Sequence, residues 1–162
     1  MKVAIDFGIS NTDIAVSNDA NVDFFTIPST KINHLILDEI FEQINIDIDL
    51  IEKIAVTGGK SDSLESIYKT IEVLKINETD AIGNGVIEIY STHEPFVAIS
   101  AGTGTACIYH QDGEFNYIGG IAIGGGTLKG LSNLTLNTSS MDEVTKKALL
   151  GNRDNIDLLI GD

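Results

Sequence analysis

The chain has 162 residues, 43% of them hydrophobic, with 24 acidic against 10 basic side chains and a formal charge of −14. That apolar content is enough for one compact domain or two small lobes. The acidic excess excludes a binder of phosphate backbones, which needs clustered Lys and Arg, so neither nucleic acid nor an anionic membrane surface is expected as a partner.

The first residues read as a strand, Lys2 to Asp6, running into a turn at Gly8. A charged Lys2 followed at once by Val3-Ala4-Ile5-Asp6 does not look like a cleavable signal. No apolar run approaches the ~20 residues that span a bilayer. A single Cys107, inside the apolar run Ala106–Tyr109, leaves no intramolecular disulfide and fits a small core residue in a reducing compartment. The expectation is a soluble cytoplasmic protein.

Ile14–Val16 predicts a second strand, Asn18–Asn21 a polar turn, and Val22–Ile27 a third strand. A strand–turn–strand opening differs from a Rossmann unit, in which the first strand leads straight into a helix. Leu35, Leu37, Ile40, Phe41 and Ile44 recur at helical spacing over His34–Ile44. Lys53–Val56 reads as a buried strand closed by Thr57-Gly58-Gly59. A helix is expected over Ser61–Lys69 behind a Ser or Asp cap, a strand over Ile71–Ile76, and a helix over Glu78–Tyr90 despite Gly83 and Gly85. Pro95–Ser100 predicts a strand, Ala106–Tyr109 its hairpin partner, and the Asp112-Gly113 turn leads to a strand over Glu114–Ile118. Gly119-Gly120 and Gly124-Gly125-Gly126 follow, then a helix from Thr127 and a last one over Met141–Leu150. Each half thus repeats one plan: strand, Gly/Ser/Thr turn, strand, strand, helix.

The two turns are the central chemical signal. Asp6-Phe7-Gly8-Ile9-Ser10-Asn11-Thr12 and Ser100-Ala101-Gly102-Thr103-Gly104-Thr105 combine glycines, which let backbone approach a ligand, with hydroxyl donors. One such turn is most simply an ordinary hairpin connection; two at matching places in a repeated plan point to phosphate cradles facing one cleft. Gly124-Gly125-Gly126 before a helix is a favourable phosphate seat or, alternatively, a place of close packing. Asp6, ending the first strand, is either a cap on its own turn or a carboxylate for Mg2+ held with phosphates and water. Glu78 beside Asp80 reads on its own as a helix-dipole acid, and as a base only if a hydroxyl is to receive phosphate from ATP. His34, His93 and His110 have no spacing that suggests a metal site.

Ser100–Thr105, Ile118-Gly119-Gly120 and Gly124-Gly125-Gly126-Thr127-Leu128-Lys129-Gly130-Leu131 together resemble the second phosphate loop and Gly-rich helix start of type II pantothenate kinases. Val56-Thr57-Gly58-Gly59 and Glu78-Thr79-Asp80-Ala81 with Gly85 are similar to two upstream family segments, and Gly151-Asn152-Arg153-Asp154-Asn155-Ile156-Asp157 to one in the dimer-forming half. The resemblance implies an α/β, ribonuclease H-like (actin-like ATPase) fold, with a complete first lobe over 1–77 and a truncated second lobe over 78–162 that lacks the adenosine loop. It also implies a possible homodimer, and the use of ATP and Mg2+ to phosphorylate pantothenate, the entry step to coenzyme A. Asp6 would then sit beside the metal. Gly8, Ser10, Asn11 and Thr12 would bind phosphates from one lobe and Gly102, Thr103, Gly104 and Thr105 from the other. Gly124, Gly125, Gly126, Thr127 and Lys129 would line the nucleotide site, Glu78 would be the general base, and Tyr117, Gly119 and Gly120 would meet the substrate.

Three features depart from the family pattern. Ile9 stands where the first loop has its second Gly, and Asp13 where it has a Lys; Gly-Ile-Ser-Asn-Thr-Asp is instead similar to the opening of hydantoinase and oxoprolinase proteins. Tyr117 stands where an Arg meets the substrate carboxylate, and a phenol cannot make that bidentate charged pair. The sequence ends at Asp162, before the adenosine loop. Two alternatives therefore stand beside pantothenate phosphorylation: a kinase of the same fold acting on another small hydroxyl compound, and an ATP-binding homologue without catalysis.

Overall fold

The computed structural model describes residues 1–18 and 21–155. β1 (Lys2–Phe7), β2 (Asn11–Ser17) and β3 (Val22–Pro28) are followed by α1 (Ile36–Gln43), β4 (Lys53–Thr57), β5 (Ile67–Tyr68), β6 (Ile71–Lys75) and α2 (Glu78–Tyr90). β7 (Phe96–Ala101), β8 (Thr105–Gln111), β9 (Glu114–Ile121), α3 (Gly125–Leu136) and α4 (Met141–Leu150) complete the order, so the repeat of three strands and a helix is real. The first six strands form one sheet in the order β3-β2-β1-β4-β6-β5; β7-β8-β9 form another. β1 runs antiparallel to β2 and parallel to β4, with Asp6 opposite Asp13 on one side and Thr57 on the other.

Strict alternation builds the core. Val3, Ile5 and Phe7 of β1, with Ile14 and Val16 of β2 and Ile54 and Val56 of β4, point to one face of the sheet. The apolar stripe Ile36, Leu37, Ile40 and Phe41 of α1 joins them in that core, and each such side chain removed from water contributes roughly 1.5–3 kcal/mol. The other residues of these strands, Ala4, Asp6, Asp13, Ala15 and Ala55, line a pocket of about 440 Å³ on the opposite face.

Two expectations are corrected. Ser61–Lys69 is not a helix: a short 3-10 turn covers Ser61–Ser63, and Ile67–Tyr68 forms β5, antiparallel to β6. The hydroxyls of Ser61 and Ser63 donate back to the carbonyls of Gly58 and Lys60 (2.7 and 2.9 Å), which favours a turn over a helix start. Lys69, at φ 55°, then reverses the chain between β5 and β6. The third strand of the second sheet also runs further than Ile118, to Ile121, so Gly119 and Gly120 lie inside β9. Gly119 has φ 151°, which a residue without Cβ adopts readily. Asp112 and Gly113 both have positive φ, as the expected Asp-Gly hairpin turn requires.

The chain divides into two compact units, Met1–Ser100 with Ala106–Gly120, and Ala101–Thr105 with the residues from Ile121 onward. Among the described residues no helix is long and apolar enough to cross a membrane.

Candidate active site

In the first unit the chemistry gathers at the end of β1. Asp6 sits on the pocket face between Asp13 and Thr57. Partial burial pushes its carboxyl above the ordinary value, and the negative charges of Glu78 and Asp13 push it further in the same direction. Asp13 accepts a 2.6 Å hydrogen bond from Thr26 Oγ1 on β3. Glu78 is the exposed first residue of α2, whose start is fixed by the Asn77 side chain accepting from Thr79 N at 2.8 Å. The negative charges of Asp13 and Glu78 are thus both felt at Asp6.

Two close approaches shape this corner. Gly58, at φ 90°, lies where a Cβ would come within 2.6 Å of both Asp6 Oδ1 and the Phe7 carbonyl oxygen. Thr57 Oγ1, in the wall of the same pocket, is buried without a hydrogen-bond partner. A buried hydroxyl without a partner costs free energy unless a ligand or water satisfies it.

The turn between β1 and β2 is held from outside. Ser29 N donates to the Ser10 carbonyl (3.0 Å) and Ser29 Oγ to the Gly8 carbonyl (2.8 Å), while Lys60 Nζ donates to Ser29 Oγ (2.9 Å). Ser29 and Lys60 escaped sequence reasoning because neither belongs to a local motif. Ile9 projects into solvent and Asn11 is exposed, but Thr12 is buried among the core side chains, so its side chain serves packing.

In the second unit the residues Gly102–Gly104 and the start of α3 form one close-packed element. Gly125 N donates to the Gly102 carbonyl (2.8 Å) and Gly126 N to the Thr103 carbonyl (3.3 Å). Thr105 Oγ1 donates to the Ile123 carbonyl (2.7 Å) and Thr127 Oγ1 to that of Ala122 (3.2 Å). A Cβ on Gly124 would meet Gly104 O at 2.6 Å and Thr103 O at 2.7 Å; one on Gly126 would meet Thr103 Cγ2 at 2.6 Å. These glycines therefore let a loop lie against a helix N-terminus, and two of the helix's first N–H groups already have partners in that loop. Lys129 is exposed on α3. In the other unit, Tyr117 is exposed on β9, with Gly119 and Gly120 beyond it on the same strand. Of the segment expected to resemble a dimer-forming region, Ile156 and Asp157 lie outside the described residues.

A sheet ordered 3-2-1-4-6-5, with the loop after β1 beside a carboxylate, is an α/β architecture of the ribonuclease H-like (actin-like ATPase) fold. Solved structures agree: an activator of 2-hydroxyisocaproyl-CoA dehydratase from Clostridium difficile, with bound ADPNP, superposes with a TM-score of 0.67 at 16% identity, covering 99% of this chain and 60% of that one. A ROK family protein from Streptococcus pneumoniae gives 0.53 at 13% identity, over 93% and 68%. In sequence the chain is similar to the type II pantothenate kinases, and the resemblance read from its loops is borne out. It is 30% identical over 165 residues to the enzyme of Bacillus cereus strain G9842 (99% of this chain, 59% of the relative). To that of Staphylococcus aureus strain USA300 it is 28% identical over 163 residues (99% and 58%). The Fumble family matches residues 88–162. The chain spans about three fifths of the length of these curated relatives.

Proposed function

We propose that the protein acts as an ATP-dependent kinase on a small hydroxyl compound, with pantothenate the first candidate. The observation that carries the reading is Asp6 at the end of β1, opposite Asp13 and under the charge of Glu78, beside a glycine turn held by Ser29. The Asp6 carboxyl suits Mg2+: its charged form is disfavoured as it stands, and a cation would favour it. Among the described residues no group of three or more His, Cys, Asp or Glu could hold a metal ion. Asp6 would therefore be one ligand among phosphate oxygens and waters, the usual mode for Mg2+. When bound, the ion would neutralise charge on the phosphates.

The chain's own groups do the rest. Glu78, at the head of α2, takes the proton of the substrate's primary hydroxyl. The freed oxygen attacks the terminal phosphorus of ATP as the bond to the bridging oxygen breaks, releasing ADP. Gly8 and Ser10 position the phosphates through backbone and hydroxyl donors. The second reading, a kinase for a neutral hydroxyl compound, is favoured by one feature: Tyr117, exposed on β9, offers a single neutral hydrogen bond rather than a charged fork.

The test is ADP release by the 162-residue chain with Mg-ATP and a panel of hydroxy acids and neutral alcohols. Turnover with pantothenate that disappears in Glu78→Gln supports the proposal. Turnover on a neutral alcohol alone moves the assignment to the second reading. Binding of ATP with no turnover on any member of the panel refutes catalysis.

A further inference from the structure

The turn from Phe7 to Thr12 contains no basic residue, and the position that follows it, Asp13, is acidic. Asp6, opposite Asp13, adds a second negative charge at the same end of β1. Triphosphate binding at this corner, on the reading above, needs a cation near the turn in a chain with only 10 basic residues.

One is held there by tertiary contacts. Lys60 follows Thr57-Gly58-Gly59 at the end of β4, and its Nζ lies 2.9 Å from Ser29 Oγ, which donates to the Gly8 carbonyl at 2.8 Å. The backbone under Lys60 is stapled by Ser61 Oγ donating to the Gly58 carbonyl and Ser63 Oγ to that of Lys60 itself. The side chain is half-buried, and among the described residues no carboxylate forms a salt bridge with it. Asp62 and Lys31 line the same surface depression. Lys75 Nζ bonds the Asp62 backbone carbonyl, not its carboxylate. An ammonium has three N–H donors, and Ser29 takes one. Lys60 also polarises the Ser29 hydroxyl and strengthens its bond to Gly8. With the Gly8 and Ser10 carbonyls both turned to Ser29, the negative ends of those peptides are directed away from an incoming anion.

We propose that Lys60 is the phosphate-binding cation of the first turn, delivered from the β4 end and held by Ser29. The proposal rests on the phosphate-site reading, and the experiment separates the two. Binding of Mg2+-tripolyphosphate and of Mg-ATP to the 162-residue chain is measured by titration calorimetry for the wild type, Lys60→Gln and Lys60→Arg, from ~50 to ~500 mM salt. Lys60→Gln is expected to weaken tripolyphosphate binding about tenfold or more at low salt, as loss of a charged hydrogen bond does. The deficit should shrink as salt rises, and Lys60→Arg should stay within a few-fold of the wild type. If the wild type binds and Lys60→Gln binds equally well, the role of Lys60 is refuted while the phosphate site stands. A deficit of the same factor at every salt concentration marks a structural side chain and also refutes it. A wild type that binds neither ligand overturns the phosphate site and Lys60 with it.

Discussion

Gly83 and Gly85 lie two residues apart in α2, and the same change, Gly to Ala, is expected to act with opposite sign at the two positions. In a helix interior Ala is favoured over Gly by about 0.8–1 kcal/mol. At Gly85 nothing lies within 4 Å of an added Cβ, so Gly85→Ala should stabilise by about that amount. At Gly83 the added carbon would lie 2.1, 2.4 and 2.6 Å from Phe115 Cδ1, Cε1 and Cγ, where carbon contacts normally sit near 3.5–4 Å. Three adjacent ring atoms cannot be cleared by a rotamer tip, so the whole ring must retreat. The Phe115 ring lies tilted 5.0 Å from that of the buried His110, which stacks 4.7 Å from Phe96, so the displacement is passed into packed groups. Overpacking of this kind costs roughly 1–3 kcal/mol, leaving a net loss of about 1 kcal/mol and a separation of about 2 kcal/mol between the two variants. Urea unfolding followed by far-UV circular dichroism reads both midpoints. Phe115→Leu should recover part of the loss in the Gly83→Ala background and none beside Gly85→Ala. Equal stabilisation by both substitutions would refute the packing argument.

Asp6→Asn should stabilise the protein near neutrality. The raised Asp6 carboxyl contributes stability that is present below its unfolded value of about 3.9 and lost as pH rises through the folded one, so the variant's advantage should vanish toward pH ~4; parallel pH profiles would contradict this. Tyr68→Phe should act in the other direction. The Tyr68 hydroxyl, at 2.7 Å, and then Lys69 hold the Asp38 carboxyl below its ordinary value, a contribution present above about pH 4 and lost as pH falls through the folded value. The wild type's advantage over this variant should therefore fade on acidification, as pH-dependent melting would reveal. Gly124→Ala meets backbone atoms of Thr103 and Gly104 at 2.6–2.7 Å, so it should lift the loop from α3 and cost roughly 1–3 kcal/mol. Faster exchange of the Gly125 amide, now bonded to Gly102, is the readout, and an unchanged rate would sink the claim.

Much of the fold follows from local rules. Alternation in β1 and β2, the helical stripe of α1 and the Asp112-Gly113 turn depend on residues a few positions apart, whose side-chain periods are set by backbone geometry. The glycine turns and Asp6 could be picked out for the same reason, whereas Glu78 stood out only through the family resemblance. What escaped that reading depends on contacts between distant segments. Ile67-Tyr68 becomes a strand because β6 offers it an edge, and hydroxyls at Ser61 and Ser63 close a turn where a helix was expected. Gly83 looks like a helix defect until Phe115, 32 positions later, occupies the missing Cβ's space. Ser29 reaches Gly8 across 21 residues and Lys60 reaches Ser29 across 31. Close packing and hydrogen-bond partners exist only once the chain has brought such segments together, and no periodicity along the sequence encodes them.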